Sequence, residues 1–191
     1  MPTEISSQQP ETLPISVLQY RTLVDHGTFE GQSGQIELIR GRLVHLNPQG
    51  PVHSDPIDEL AAWSYEVAAE DFRIRIEKPL EFPRLSSSPE PDVAWVTKGR
   101  YASAHPTSED VHLLIEVSTT SKSFDLSERL RLYAEAGIPE YWVVDTNGRT
   151  VTGMREPGPD SHRVTNDHAA NDTIAPLCLP SAKLCISRLF A

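Results

Sequence analysis

The sequence has few cysteines and no long apolar run, and each of these shortages excludes a class of protein. Its two cysteines, Cys178 and Cys185, have no histidine close by in the chain, which matches neither a zinc-ligand spacing nor a disulfide framework. We therefore interpret both as free thiols. No run of about 18 apolar residues is present, so no transmembrane helix is expected. The N-terminal segment MPTEISSQQPETLP lacks the basic start and the apolar centre of a signal peptide, and a cytoplasmic location is expected.

Basic residues are also scarce, because 17 Lys and Arg stand against 27 Asp and Glu and give a net charge of -10. Such a chain is poorly suited to non-specific phosphate binding, which depends on Lys and Arg. A local basic patch or a divalent metal can overcome a global acidic excess, so nucleic acid stays open as a partner. No glycine-rich phosphate loop is present, and no nucleophile-elbow pattern supports a serine hydrolase.

The length and the pattern of apolar residues predict an α/β (α+β) domain. With 191 residues and 38% hydrophobic residues, we expect a polar disordered tail over 1–13 and a single domain over 14–191. Helices are predicted at about 15–25, 56–70 and 125–136. Strands are predicted on both sides of Arg40-Gly41, from Phe72, at PDVAWV, at 111–118 and at 140–145. The helices should cover both faces of one mixed sheet.

The C-terminal part of the chain carries a second hairpin signal and a long polar stretch. Asn147-Gly148 predicts a hairpin after the strand at 140–145. Residues 156–173 are polar, and we interpret them as a surface loop or hairpin tip. The apolar tail after them should pack on the domain and end in a short helix.

Two acidic residues at buried strands carry the main functional prediction. Glu116 lies inside the apolar run VHLLIEV, where an unpaired carboxylate is costly. Asp92 opens the buried strand PDVAWV. Two carboxylates that converge from neighbouring strands can hold a divalent metal through oxygen ligands. The structural alternative is that Asp92 caps the turn after Pro91 and that Glu116 pairs with an arginine in the core.

Four further residues are candidates for a role in the same site, two cations and two weaker candidates, Glu37 and His53. Arg129 lies at the edge of the buried stripe of the helix at 125–136, and Lys122 lies in the loop before it, so either cation could stabilise a charged transition state. Glu37 lies among apolar residues in the first hairpin, and His53 lies just before the helix predicted to start at Pro56. For each of the four, the alternative is a structural or solvated side chain.

Several motifs resemble those of the Uma-two family of endonuclease-like proteins, a branch of the PD-(D/E)XK restriction-endonuclease-like fold. They are ELIRGRLV, the loop with His53, EPDVAWV, HPTSEDVHLLIEVS and FDLSERLRLYAEAGIPEYWVVD, and together they span about residues 30–155. The resemblance implies a mixed sheet flanked by helices and a metal-dependent nuclease core. It places Mg²⁺ (or Mn²⁺) on Asp92 and Glu116, with the backbone carbonyl of Val117 as a further ligand.

The sequence departs from the family pattern at three positions, and the first is Arg42, where the family often has an acidic residue after the hairpin glycine. Ser118 stands where the superfamily has a lysine, and Arg129 stands where the family has a lysine on the following helix. An arginine keeps the positive charge but cannot act as a base.

Three hypotheses follow. The first is a Mg²⁺-dependent endonuclease that hydrolyses phosphodiester bonds of DNA, with a homodimer as the family-level expectation. The second is a nuclease-fold module that has lost catalysis and binds nucleic acid or protein. The third is a domain with some other pocket, in which Glu116 is a structural ion pair.

Overall fold

The computed structural model of the protein describes residues 12–119 and 124–190. Most of the predicted tail over 1–13, and the candidate Lys122, lie outside these residues. The described helices are α1 (Val17–Asp25), α2 (Pro51–Ala68) and α3 (Phe124–Glu135). The described strands are β1 (Gln35–Ile39), β2 (Arg42–Leu46), β3 (Phe72–Ile76), β4 (Val93–Thr97), β5 (Val111–Ser118), β6 (Glu140–Asp145), β7 (Thr150–Pro157), β8 (His162–His168), β9 (Thr173–Ile174) and β10 (Leu184–Cys185).

Six of these strands form one mixed sheet in the order β3-β4-β5-β6-β7-β8. The pair β5 and β6 is parallel and its connection contains α3, whereas the other neighbours are antiparallel. A parallel pair needs a long crossover, and the helix between the two apolar runs supplies it. The predicted mixed sheet with flanking helices is confirmed, as is the hairpin at Asn147-Gly148 that joins β6 to β7.

Alternation along the strands sends large side chains to both faces of the sheet. On one face, the α2 face, Trp63 of α2 stacks against Trp95 of β4 and Trp142 of β6, with ring centroids 5.1 and 5.9 Å apart. On the other face, the α3 face, Leu132 and Tyr133 of α3 pack with Ala94 and Leu114. Both faces of the central strands are therefore covered, as continuous apolar runs require.

The β1–β2 hairpin stands apart from the large sheet and lies against α3. Its turn is Arg40-Gly41, and both residues have positive φ, 49° and 74°. The Arg40 guanidinium bonds to Glu128 at 2.8 Å and to Glu135 at 2.6 Å on α3. These pairs hold the hairpin beside the helix that follows β5.

Two elements differ from the sequence-based prediction. Helix α2 begins at Pro51 rather than near Pro56, with Gly50 as its N-cap and Pro56 inside the helix. Pro56 has no N–H to donate to the carbonyl of Val52 and its ring crowds that carbonyl, and because it lies near the helix start, these effects are confined to the first turns. Residues 162–168, predicted as part of a surface loop or hairpin tip, form β8, which pairs with β7 at the edge of the sheet. Most of its polar side chains face solvent, whereas His162 is buried. Among the described residues, no helix is both long and apolar enough to cross a membrane.

Candidate active site

The register of β4 against β5 brings the two predicted carboxylates together. The ladder pairs Val93 with Ile115 and Ala94 with Leu114. Extending that register by one residue sets Asp92 opposite Glu116, on the same face as Ala94 and Leu114. Directly opposed residues of antiparallel strands have Cβ atoms about 5 Å apart, so both side chains reach a common space on the α3 face.

The Asp92 carboxylate replaces the strand partner that β5 loses where β4 begins. Its Oδ2 accepts the N–H of Val117 at 2.6 Å. Without that acceptor, a buried backbone donor would be unsatisfied. Asp92 thus caps the end of the β4–β5 ladder, and at the same time it lines a cavity.

That cavity has a volume of about 530 Å³ and lies at the C-terminal end of β5. Its walls are residues 46–50, the first turn of α2, Gln35, Glu90, Asp92, residues 116–119 and Arg129. Three of the lining side chains are carboxylates, those of Glu90, Asp92 and Glu116, and Arg129 is the cation among the described lining residues. An excess of negative charge in a confined space favours a bound cation.

His53 lines this cavity because α2 begins at Pro51 and not at Pro56, where the sequence predicts the start. It lies in the first helical turn, is 8% exposed, and places Nε2 3.4 Å from Oδ1 of Asp92. The prediction that His53 lies in the loop before the helix is wrong. Its proximity to Asp92 lets the imidazole orient that carboxylate.

Arg129 is the hub of a buried network on the α3 face. Its Nη1 donates to Oε1 of Glu116 at 2.8 Å and to the Tyr133 hydroxyl at 3.2 Å. Its Nη2 donates to both carboxylate oxygens of Glu37, each at 2.8 Å. The structure therefore places Glu37 beside Arg129, and Glu116 does pair with a core arginine, as the structural alternative supposed.

Burial dominates the electrostatics of Glu116. It raises the pKa of this carboxyl to about 8, and the nearby charges of Asp92 and Glu37 act in the same direction while Arg129 opposes them. Burial also raises the pKa of Glu37 and of Glu90 above their usual values. A cation that enters beside such a carboxyl favours its charged form and lowers its pKa.

The oxygen atoms that face the cavity suit a hard cation that is bound by only a few protein ligands. Asp92 and Glu116 offer carboxylate oxygens. The Val117 carbonyl points to the same side of β5 as the Val117 N–H that Asp92 accepts, since a strand residue directs both groups to one neighbour. In the described ranges no cluster of three or more His, Cys, Asp or Glu could hold a metal. Mg²⁺ is often held by one or two carboxylates, with water and substrate phosphate completing its shell.

The structure adds residues that the sequence did not single out for the site. Tyr133 donates to Oε1 of Glu116 at 2.7 Å, although its position on the apolar stripe of α3 predicts only a core residue. Glu90 lines the cavity and accepts a hydrogen bond from the Gln35 amide. In the sequence, only its position two residues before Asp92 indicates that Glu90 lies near the site. Lys122 lies outside the described residues.

A mixed sheet flanked by helices, with two acids opposed at the end of adjacent strands, defines a restriction-endonuclease-like nuclease fold. The chain belongs to the Uma2 family, described as "Putative restriction endonuclease", whose sequence model matches residues 18–187. The family expected from the sequence motifs is thereby confirmed.

A solved structure supports the same fold. The crystal structure of "a putative nuclease belonging to DUF820 from Anabaena variabilis ATCC 29413" superposes with a TM-score of 0.69 at 18% sequence identity. The alignment covers 93% of this chain and 98% of that chain. At this identity the likeness shows the fold. No curated protein matches the chain.

Proposed function

We propose that this protein is a metal-dependent endonuclease that hydrolyses phosphodiester bonds of DNA. The family supports a nuclease with a nucleic acid substrate. The observation that carries the proposal is the placement of Asp92 and Glu116, opposed across β4 and β5 and facing one cavity. Asp92 directly precedes β4 and Glu116 lies in β5, so the sheet holds their backbones in a fixed relation to each other.

Asp92, Glu116 and the carbonyl of Val117 would hold Mg²⁺ or Mn²⁺. When bound, such a cation lowers the pKa of a water and neutralises charge on a phosphate. His53 orients Asp92. Arg129, with Lys122 from the segment that precedes α3 in the sequence, provides positive charge for the developing phosphate charge, and Glu37 holds Arg129 in place.

The proposal is tested with purified protein, supercoiled plasmid DNA and Mg²⁺ or Mn²⁺. Wild type should nick or linearise the plasmid, and Asp92→Asn and Glu116→Gln should each lower the rate at least roughly a hundredfold, because each loses an anionic ligand. Asn and Gln keep an oxygen acceptor for the hydrogen bonds that these side chains make. Glu140→Gln is the matched control, since Glu140 is also fully buried but lies on the α2 face. Absence of cleavage by wild type, or equal cleavage by Asp92→Asn, contradicts the proposal.

A second candidate is a nuclease-fold module that binds nucleic acid or protein without cutting. The observation in its favour is Arg129, whose guanidinium is engaged by Glu37, Glu116 and Tyr133 and which cannot serve as a base. Calorimetric titration with Mg²⁺ separates the two candidates, because no binding at millimolar metal supports the module. Cleavage gained by Arg129→Lys would locate the lost step at this residue.

Two further proposals rest on the family and on the sequence. An endonuclease that cuts both strands commonly acts as a dimer, and we propose a homodimer. Light scattering at micromolar protein concentration tests it, and a monomer mass contradicts it. We also propose a cytoplasmic location.

A further inference from the structure

We propose that Tyr133 is a positioning residue for the metal ligand Glu116, and that it acts together with Arg129 and its anchor Glu37. This inference rests on the proposed function, because it assigns these residues to the same cation site. It gives Tyr133 a role that its position on an apolar helix stripe does not suggest.

The hydroxyl of Tyr133 makes two hydrogen bonds, one to Arg129 and one to Glu116. It accepts from Nη1 of Arg129 at 3.2 Å and donates to Oε1 of Glu116 at 2.7 Å. Since Arg129 has no acceptor to offer, the single hydroxyl proton is directed to the carboxylate. Tyr133 has no exposed surface, so water does not compete for either bond.

Arg129 binds the same oxygen of Glu116, and Glu37 fixes the arginine from the other side. The two oxygens of Glu37 receive Nη2 of Arg129 at 2.8 Å, and the Glu37 side chain has no exposed surface. Glu37 belongs to β1, whereas Arg129 and Tyr133 belong to α3. Helix α3 therefore contacts Glu116 directly, and the hairpin holds Arg129 of that helix in place.

Oε1 of Glu116 thus receives two donors, one charged and one neutral. Among the described residues no hydrogen bond to Oε2 is found, and Glu116 lines the cavity. The arrangement fixes the carboxylate plane and leaves one oxygen for a cation. Outer partners that orient a metal-binding side chain typically contribute about 10- to 100-fold to metal affinity.

The chain contains a matched control for each variant. Tyr141 is also fully buried and its ring lies 5.0 Å from that of Tyr133, but its hydroxyl finds no partner in the described part of the chain. Glu140 is a fully buried carboxylate bound by Arg155 at 2.8 Å, like Glu37 with Arg129, but on the opposite face of the sheet. The loss of a tyrosine hydroxyl can thus be compared between Tyr133 and Tyr141. The loss of a buried carboxylate charge can be compared between Glu37 and Glu140.

The experiment measures Mn²⁺ affinity by titration calorimetry for wild type and for Tyr133→Phe, Tyr141→Phe, Glu37→Gln and Glu140→Gln, with thermal unfolding of each metal-free protein. Tyr133→Phe and Glu37→Gln should weaken Mn²⁺ binding roughly tenfold or more. Both controls should bind Mn²⁺ within about twofold of wild type, whatever their unfolding temperatures. In cleavage assays, Tyr133→Phe should need more metal for half-maximal rate and should approach the wild-type rate when metal is in excess.

Each outcome decides between the inference and the proposed function. If wild type binds Mn²⁺ and Tyr133→Phe binds it equally well, the positioning role is refuted and the metal site stands. If Tyr141→Phe weakens binding as much as Tyr133→Phe, a general packing effect is responsible and the role is refuted as well. If wild type binds no metal, the proposed function and the positioning role fail together. Should Tyr133→Phe not fold, the comparison of Glu37→Gln with Glu140→Gln still tests the network that positions Glu116 through Arg129, and equal Mn²⁺ affinity of these two variants refutes the inference.

Discussion

At the scale of single residues, the arginine at position 129 balances two buried carboxylates. Glu37 has no exposed surface and Glu116 is 7% exposed, and both are bound by the same guanidinium. Arginine suits this role better than lysine, because its planar fork offers donors in two directions at once. Its four hydrogen bonds to Glu37, Glu116 and Tyr133 join the hairpin, β5 and α3.

Removing this arginine should be costly for folding. We expect Arg129→Ala to lower the free energy of unfolding by about 3–5 kcal/mol, because two buried carboxylates lose their partner. Arg40→Ala is the control, since Arg40 also joins the hairpin to α3 but its ion pairs are partly exposed. That variant should cost less than about 1 kcal/mol. Urea unfolding measures both, and equal losses would show that burial of the pair does not set the cost.

His162 gives the protein a pH dependence that has nothing to do with the site. It is buried, its Nε2 lies 3.0 Å from the carbonyl oxygen of Ile138, and its Nδ1 has no partner among the described residues. Burial lowers its pKa below the usual value. The unfolded chain then binds the proton more readily, so this contribution to stability is complete above about pH 6.5 and is lost as the pH falls.

We therefore expect His162→Gln to reduce the loss of stability in acid. A glutamine amide can still donate to the Ile138 carbonyl but does not titrate. Unfolding free energies of wild type and variant, measured between pH 7.5 and pH 5, should diverge in slope below the usual histidine pKa of about 6.5. Parallel curves over this range would mean that His162 does not gain a proton on unfolding.

The residues of the candidate site differ in how far the sequence could indicate them. Glu116 interrupts an apolar run, so its cost in a buried strand marks it. The position of Asp92 opposite Glu116 depends on the register of β4 with β5, which no local sequence pattern encodes. Tyr133 stays hidden, because a tyrosine on an apolar helix stripe satisfies the pattern of a core residue. Its hydroxyl matters only once the helix is placed over the sheet.

At the scale of elements, the first turn of α2 decides whether His53 belongs to the site. Asp55-Pro56 has the pattern of a helix start, but Gly50-Pro51 has it too, and the earlier start adds a turn. The added turn lines the cavity with residues 51–53. Local signals therefore found the helix and not its first residue, which is the least certain feature of any such prediction.

The position of His53 predicts a moderate effect on activity. We expect His53→Ala to lower the cleavage rate and Mn²⁺ affinity by roughly tenfold, as loss of an outer partner of a metal ligand does. His45→Ala is the control, because His45 lies on β2 and bonds to the carbonyl of Ser33 at 2.6 Å. An unchanged metal affinity in His53→Ala would mean that the 3.4 Å contact with Asp92 has no role in holding that carboxylate.

The strands show the same division between local and long-range information. Strands β4, β5 and β6 are apolar on both faces and were predicted with nearly their observed bounds. Strand β8 is polar, and the sequence predicts a surface loop or hairpin tip there, because HRVTNDH lacks the apolar alternation that marks a strand. Pairing with β7 imposes its extended conformation, and this pairing depends on the hairpin and not on the segment itself.

At the scale of the whole molecule, the charge distribution bears on how DNA could approach. The chain carries a net charge of -10, and three of its acidic residues, Glu90, Asp92 and Glu116, line the cavity that a phosphate would enter. A polyanion and an acidic cavity repel each other until a cation lies between them. A bound divalent ion is then the largest local charge and reverses the sign of the interaction.

DNA binding should therefore depend on a divalent cation, and Ca²⁺ can serve as one that supports binding without cleavage. We expect a fluorescent 20-base-pair duplex to bind weakly in EDTA and at least roughly tenfold more tightly in millimolar Ca²⁺, because each phosphate then meets a net positive site. Asp92→Asn should lose most of this gain, whereas Glu140→Gln should keep it, since Glu140 lies away from the cavity. Fluorescence anisotropy at fixed ionic strength measures the affinities, with Na⁺ replacing Ca²⁺ to hold screening constant. If affinity is the same in EDTA and in Ca²⁺, or if Asp92→Asn keeps the gain, DNA is held by some other surface and the acidic cavity is not where the phosphate lies.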